Sequence, residues 1–195
     1  LRYVGMEDIN QVTEWYRLNK ARNFEEWTAA LRMQEIASLN LIYADKEDNI
    51  YFVHNVKSPI RNENFDWSKV LPGDQSDLIW RDFHSFDSIP QIKNPNSGYL
   101  FSTNQNPFFV TEKEDNLSPD QYKETFGFQT RTTNRAYRAY ELFTLDNDIT
   151  YEEISLIKHD NKFSYNSRQY EFMKKIFNAD FSENEKLHDA QKFLK

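Results

Sequence analysis

Large apolar residues in the first part of the chain recur first at the spacing of a helix and then at the spacing of a strand. Residues 23–39, NFEEWTAALRMQEIASL, have the helical spacing. Three large apolar side chains of this segment share one face: Phe24, Trp27 and Leu31. Asn23 followed by Glu26 is the pattern of a capping box. The sequence therefore predicts a helix that begins directly after Asn23.

Strand-like runs follow this helix. Residues 39–45 and 49–56, LNLIYAD and NIYFVHNV, flank a short charged segment, which predicts a β-hairpin with a charged tip. Residues 57–91 are punctuated by prolines and have no regular period, so they predict a long loop held by aromatic side chains. Residues 97–103, SGYLFST, predict a third strand, which ends at a run of neutral carboxamides. This run consists of Asn104, Gln105 and Asn106.

From about residue 120 onward the pattern is helical. The segments with helical spacing are 133–143, 150–160 and 167–177, and a charged helix ends the chain. Thr150 and Glu153 form a second capping-box pattern. We interpret His159 as a cation at the C-terminal end of that helix, and Asp160 as its solvated neighbour.

Composition and charge exclude several classes of protein. Aromatic residues make up 16% of the chain, which is too many large apolar side chains for a disordered segment. A net charge of -7 with scattered Lys and Arg argues against a nucleic-acid partner. The absence of cysteine excludes disulfides, thiolate metal sites and a cysteine nucleophile. No apolar run is long enough to span a membrane, and the first residues do not have the pattern of a signal peptide.

Residue types and spacing alone do not identify a nucleophile or a general base. The histidines are far apart in sequence and form no metal-ligand or triad pattern. Residues 43–49, YADKEDN, resemble a calcium loop but lack its central glycine and its final glutamate, so a hairpin tip is the better interpretation. Two positions stand out, Asn104 at the end of a predicted strand and Arg135 at the start of a predicted helix.

Five segments combine into a more specific pattern. They are FEEWTAAL, NLIYADKEDNIYFV, LPGDQS, IPQIKNPNSGYLFSTNQNPF and TNRAYRAYELF. In their order and spacing they resemble a later part of the large catalytic subunit in the penicillin acylase family of N-terminal-nucleophile hydrolases. The resemblance runs from about residue 19 to about residue 160. It implies an α+β chain that forms an incomplete part of the four-layer αββα fold of these hydrolases.

The resemblance also implies a mechanism. An amide is hydrolysed by the first residue of the mature subunit, usually Ser, whose own α-amino group acts as the base. Asn104 falls at the position of the family's oxyanion-hole asparagine, and Arg135 at that of an arginine that supports the surroundings of the nucleophile. Without the resemblance, Asn104 would be interpreted as bonding local backbone, and Arg135 as solvated or paired with a carboxylate.

The resemblance leaves the nucleophile itself unmatched, because the chain begins with Leu1 rather than Ser, Thr or Cys. We therefore expect residues 1–195 to be a single region, a fragment of the catalytic (beta) subunit that is inactive alone. Its expected partners are the alpha subunit and the N-terminal part of the beta subunit. No cofactor is expected for catalysis. Family members often bind a structural calcium ion, but its ligands are not identified in this sequence.

The expected function of the complete protein is hydrolysis of linear amides of small N-acylated molecules, such as penicillins or acyl-homoserine lactones. From the resemblance we expect a periplasmic or extracellular location. The alternative is a non-catalytic binding or interaction module that kept the scaffold and lost the chemistry. A serine directly after an upstream processing site would favour the enzyme.

Overall fold

The computed structural model describes residues 3–6, 8–145 and 148–194. Its helices and antiparallel sheet confirm the α+β prediction. The chain divides into two compact units, a sheet unit, Leu1–Arg131, and a helical unit, Thr132–Lys195. Within the described residues, no helix is both long and apolar enough to cross a membrane. The prediction that residues 1–195 are one region of a larger subunit concerns the complete protein and stays a prediction.

The sheet unit contains helices α1 and α2 followed by an antiparallel sheet ordered β1-β2-β3. Their bounds are α1 Gln11–Lys20, α2 Phe24–Leu31, β1 Ser38–Ala44, β2 Ile50–Val56 and β3 Gln91–Lys93. The predicted hairpin is confirmed as β1 and β2. Helix α2 begins where it was predicted, because the Asn23 side chain accepts a hydrogen bond from the Glu26 backbone N–H at 2.8 Å. It ends earlier than predicted, and Gln34 beyond it has a left-handed φ of 50°.

Strand β2 is covered on both faces. Successive side chains of a strand point to opposite faces, and in β2 both sets are apolar, so both faces must be buried. Tyr51 and Val53 pack with Leu31 of α2 on one face of the sheet. Phe52 points to the opposite face and packs with Val110 from the later loop. Burial of both faces makes β2 the centre of the sheet unit.

The predicted third strand over 97–103 is wrong. Strand β3 lies earlier in the chain, where Ile92 pairs with Phe52. The chain leaves the sheet at Asn94, which has a left-handed φ of 48° and whose side chain accepts a hydrogen bond from the Ile50 backbone N–H. Residues 97–103 then fold back onto the chain that follows them, and the Phe101 N–H donates to the Val110 carbonyl at 2.9 Å. Their apolar side chains therefore cover the sheet instead of extending it.

The tip of the hairpin is a turn, as expected, and is held by Asp45. Its carboxylate accepts hydrogen bonds from the backbone N–H groups of Glu47 and Asn49 at 2.9 and 3.1 Å. Burial raises the pKa of Asp45, but hydrogen bonds from the Asn49 side chain and from these backbone N–H groups outweigh it and hold the pKa below its ordinary value. The Asp45 Oδ2 accepts from the Tyr43 hydroxyl and the Asn49 side chain, both at 3.0 Å, so both carboxylate oxygens bond groups of the hairpin end.

The helical unit is built from α3 to α6, in the segments where helices were predicted. Their bounds are α3 Asn134–Phe143, α4 Tyr151–His159, α5 Arg168–Asn178 and α6 Glu185–Leu194. The predicted capping box at the start of α4 is confirmed, since Thr150 and Glu153 each bond the backbone N–H of the other. The Gln191 side chain joins α6 to the end of α5 through hydrogen bonds to the Ile176 and Ala179 carbonyls, both at 2.8 Å.

Asp160 is not the solvated residue that the sequence suggested. It lies half-buried and accepts two hydrogen bonds from the Arg138 guanidinium, at 2.8 and 2.9 Å. The Arg138 hydrogen bonds lower the pKa of Asp160 to about 2. This ion pair ties α3 to the end of α4, and local sequence does not reveal it because the partners are 22 positions apart.

We predict that Asp160→Asn destabilises the protein at neutral pH by on the order of 2 kcal/mol. A carboxyl whose pKa is depressed by folding contributes stability above its unfolded pKa, and this contribution is lost as the pH falls through the folded pKa. Denaturant unfolding should therefore show the loss at pH 7, and the loss should shrink between about pH 5 and pH 2. Asp189→Asn is the matched control, because Asp189 forms an exposed pair with Lys192 at 3.6 Å. A loss that is the same at every pH would contradict the prediction.

Candidate functional site

The three neutral carboxamides that follow residue 103 have different surroundings. Asn104 lies at the exposed tip of its loop, with a left-handed φ of 63°. Asparagine tolerates this conformation better than most residues other than glycine. The turn therefore presents the Asn104 side chain at the surface of the sheet unit.

Gln105 is buried directly beside it, with 3% of its surface accessible. Its Oε1 accepts hydrogen bonds from the Thr103 N–H and hydroxyl, at 2.5 and 3.2 Å. Its Nε2 donates to the carbonyls of Phe101 and Phe109, at 3.1 and 2.9 Å. One side chain thus satisfies backbone groups on both sides of the tip and fixes its shape.

Asn106 closes the loop from the other side. Its Oδ1 accepts from the Phe108 N–H at 2.9 Å, and its Nδ2 donates to the Thr130 carbonyl at 3.2 Å. Pro107 is fully buried beside it. Gln105 and Asn106 thus form the buried part of the loop, and Asn106 shapes the turn.

The loop is also attached to the sheet, through a residue that sequence reasoning missed. Asn40 of β1 donates from Nδ2 to the Gln105 carbonyl at 2.9 Å. A polar residue inside the apolar run LNLIYAD was the available signal. Its partner could not be identified, because it lies 65 positions later in the chain.

The arrangement has the properties of a hydrogen-bond donor held for an anion. A carboxamide N–H donates without titrating at any working pH. A donor on a loop that is fixed before the reaction stabilises a developing negative charge at little cost of reorganisation. The Asn104 side chain has both properties.

Arg135 lies in the helical unit, at the second position of α3. The Thr133 side chain caps this helix by accepting from the Ala136 N–H at 3.3 Å. Arg135 itself is exposed, while the next residue, Ala136, is fully buried. The helix start therefore gives the Arg135 backbone a fixed place and directs its side chain to the surface of the helical unit.

The described part of the chain offers no arrangement of three or more His, Asp or Glu side chains that could hold a metal ion. The calcium ion stays an expectation for the complete protein.

Comparison with known proteins decides the family. A model of the penicillin amidase family matches residues 1–195. The chain belongs to the penicillin amidase family. This is a family of hydrolases. The family expected from the sequence segments is thereby confirmed.

Two penicillin G acylases illustrate the likeness. The Escherichia coli enzyme is 31% identical over 101 residues, which are 52% of this chain and 12% of that protein. The structure of the thermostable enzyme from Alcaligenes faecalis matches with a TM-score of 0.65 and 24% identity, covering 89% of this chain and 30% of that one. The structural match shows an N-terminal-nucleophile hydrolase fold. The chain spans less than a third of the length of either relative.

We predict that Gln105→Leu destabilises the sheet unit by about 2 kcal/mol or more. The substitution removes the hydrogen-bond partner of one buried backbone group, at Phe101, and of two half-buried ones, at Thr103 and Phe109. Thermal unfolding measures the loss, and hydrogen exchange at the Thr103 amide should become faster. Gln121→Leu is the matched control at an exposed glutamine of the same unit. Equal melting temperatures for the two variants would mean that Gln105 does not fix the loop.

Proposed function

We propose that this chain is part of an amide hydrolase, in which Asn104 donates an N–H to the oxyanion of the tetrahedral intermediate. The observation that carries the proposal is the contrast within the loop. Gln105 and Asn106 are buried, and their hydrogen bonds to backbone fix the tip, whereas Asn104 is the exposed carboxamide on that tip. Family membership supplies the reaction class, and this loop supplies a donor suited to it.

The proposed reaction is acyl transfer to a nucleophile and then to water. The nucleophile is the N-terminal residue of the catalytic subunit, contributed by another segment of the complete acylase, and its α-amino group takes the hydroxyl proton. Attack on the substrate carbonyl places a negative charge on the carbonyl oxygen. When this intermediate collapses, the C–N bond breaks, the amine leaves with the proton held by the α-amino group, and water then hydrolyses the acyl-enzyme ester. Asn104 donates to the carbonyl oxygen of the intermediate, so the chain supplies the oxyanion part of the site and is inactive by itself.

The proposed substrates are linear amides of small N-acylated molecules, with penicillins and acyl-homoserine lactones as candidates. Two relatives that the chain resembles are penicillin G acylases, which supports an N-acylated β-lactam as the first compound to assay. Arg135 has a supporting role in the proposal. A guanidinium is a planar cation with several N–H donors, so Arg135 is suited to stabilising and orienting groups around the nucleophile.

The decisive experiment replaces Asn104 in the complete acylase by glycine and, separately, by alanine. Each removes a donor used mainly in the transition state, so we predict that kcat falls by about 100-fold or more while KM changes little. Glycine adopts the left-handed backbone at φ 63° without strain, so Asn104→Gly removes the side chain and keeps the turn. Turnover and melting temperature are measured on the same preparations.

Asn96→Ala is the control for Asn104, since Asn96 is an exposed asparagine of the same loop region that bonds Asp115. It should leave turnover unchanged. If Asn104→Gly keeps full turnover per active site, Asn104 is not the oxyanion donor.

For Arg135→Ala we predict a loss of turnover of about tenfold or more with a nearly unchanged melting temperature. Truncating an exposed helical arginine removes its charge but leaves α3 intact, because alanine is a better helix former. Arg168→Ala is the matched control, an exposed arginine that follows the Ser167 cap at the start of α5. Equal activity of the two variants would remove Arg135 from the proposal.

A further inference from the structure

We propose that Asn40 and His54 are positioning residues that hold the loop around Asn104 in the geometry needed for oxyanion binding. The inference rests on the proposed function and extends it from the donor to the side chains that place the donor. It starts from the register of the hairpin.

Asn40 and His54 are directly opposite each other on β1 and β2. The next pair on the same face is Ile42 with Phe52, since side chains alternate along both strands. Phe52 packs with Val110 and so marks the face that the loop covers. Asn40 and His54 therefore lie on the loop side of the sheet, away from α1 and α2.

The hydrogen bonds fix the orientation of the Asn40 carboxamide. The Gln105 carbonyl can only accept, so the Asn40 atom 2.9 Å from it is the donating Nδ2. Nδ2 also lies 3.4 Å from the Ser102 hydroxyl. One amide group thus contacts the loop at Ser102 and at Gln105, on either side of Asn104.

The same orientation turns the Asn40 Oδ1 towards His54, whose Nδ1 lies 2.6 Å away. An amide oxygen only accepts, so Nδ1 must carry the proton. In the neutral ring this is the Nδ1–H tautomer, in which Nε2 has no proton. The histidine therefore restrains Asn40 in the orientation that bonds the loop.

The surroundings of His54 keep this arrangement constant. Its ring makes a T-shaped contact with Phe128, with ring centroids 5.6 Å apart, and its backbone N–H donates to the Pro90 carbonyl. Burial lowers the pKa of His54 to about 4, so the ring is neutral at neutral pH. Phe128 also contacts Phe108 of the loop and the ring of Tyr122, so the half-buried histidine lies at the edge of an aromatic cluster that includes the loop.

A positioning role predicts loss of rate without loss of the fold. The loop keeps the hydrogen bonds of Gln105 and Asn106 when Asn40 is removed, so the chain still folds. The tip that carries Asn104 gains freedom, however, and a displacement of about 1 Å costs on the order of 100-fold in rate. Removing the Asn40 side chain should therefore lower kcat and leave KM nearly unchanged.

The first test is a double-mutant cycle in the complete acylase. We expect Asn40→Ala to lower kcat by about tenfold or more, because the tip that carries Asn104 is held less firmly. In the Asn104→Gly background the same substitution should change kcat by less than about twofold, because the group it places is gone. Asn49→Ala is the matched control. Asn49 is a half-buried asparagine of the same hairpin that bonds Asp45 instead of the loop. It should leave kcat unchanged.

The second test does not use activity. With 15N-labelled histidine, the resonances of His54, identified by their loss in His54→Gln, should show a neutral ring protonated on Nδ1. Asn40→Ala should abolish this preference, because a free imidazole favours Nε2–H. If Asn40→Ala does not fold, the tautomer of His54 in the unmodified protein still decides whether the contact exists.

The outcomes separate this inference from the proposed function. Full turnover in Asn104→Gly would refute the oxyanion assignment, and the positioning role with it. A large fall in kcat for Asn104→Gly, combined with a normal kcat for Asn40→Ala, would refute the positioning role alone. If Asn40→Ala lowers kcat equally in the unmodified and the Asn104→Gly protein, the effect is a general one on the fold and the positioning role is refuted. An Nε2–H tautomer of His54 would also refute the positioning role.

Discussion

Much of the sheet unit follows from one constraint, that β2 is apolar on both faces. Phe52 and Val53 are neighbours in sequence and point to opposite sides of the sheet, and neither has accessible surface. A strand of this kind needs a cover on each side, since exposing either side chain would cost roughly 2 kcal/mol of hydrophobic stabilisation. Helices α1 and α2 cover one face, and the loop that includes Val110 covers the other. The candidate site lies in this loop, so it follows from the need to cover the second face of β2.

A loop that lies on a sheet must satisfy its own backbone groups, because it has no ladder of strand hydrogen bonds to do so. In this loop the task falls to carboxamides, which can donate and accept at the same time. Gln105 and Asn106 bond the backbone of the loop, and Asn40 bonds it from the sheet. These carboxamides are uncharged and do not titrate, so their own hydrogen bonds do not depend on a change of charge. Asn104 is the exposed carboxamide of the run.

The helices and the hairpin were predictable because their signals are local. The capping pair of Thr150 and Glu153 lies within one turn, and the hairpin strands are separated only by a short charged turn. The third strand was predicted wrongly for the converse reason. Its apolar run has the composition of a strand, but the free edge of β2 is taken by β3, and only the folded chain shows this competition. Asp160 was misjudged in the same way, since its partner Arg138 belongs to another helix.

The sequence by itself determined the helices, the β1–β2 hairpin, the family and the choice of Asn104 as the residue to test. These follow from short-range patterns and from the order of recognisable segments. The tertiary structure decided which carboxamide of the run is exposed and which are buried, and it brought Asn40 and His54 beneath the loop. The reason is physical: the surroundings of a side chain depend on contacts between residues far apart in the chain. Such contacts exist only once β1, β2 and the loop have packed together.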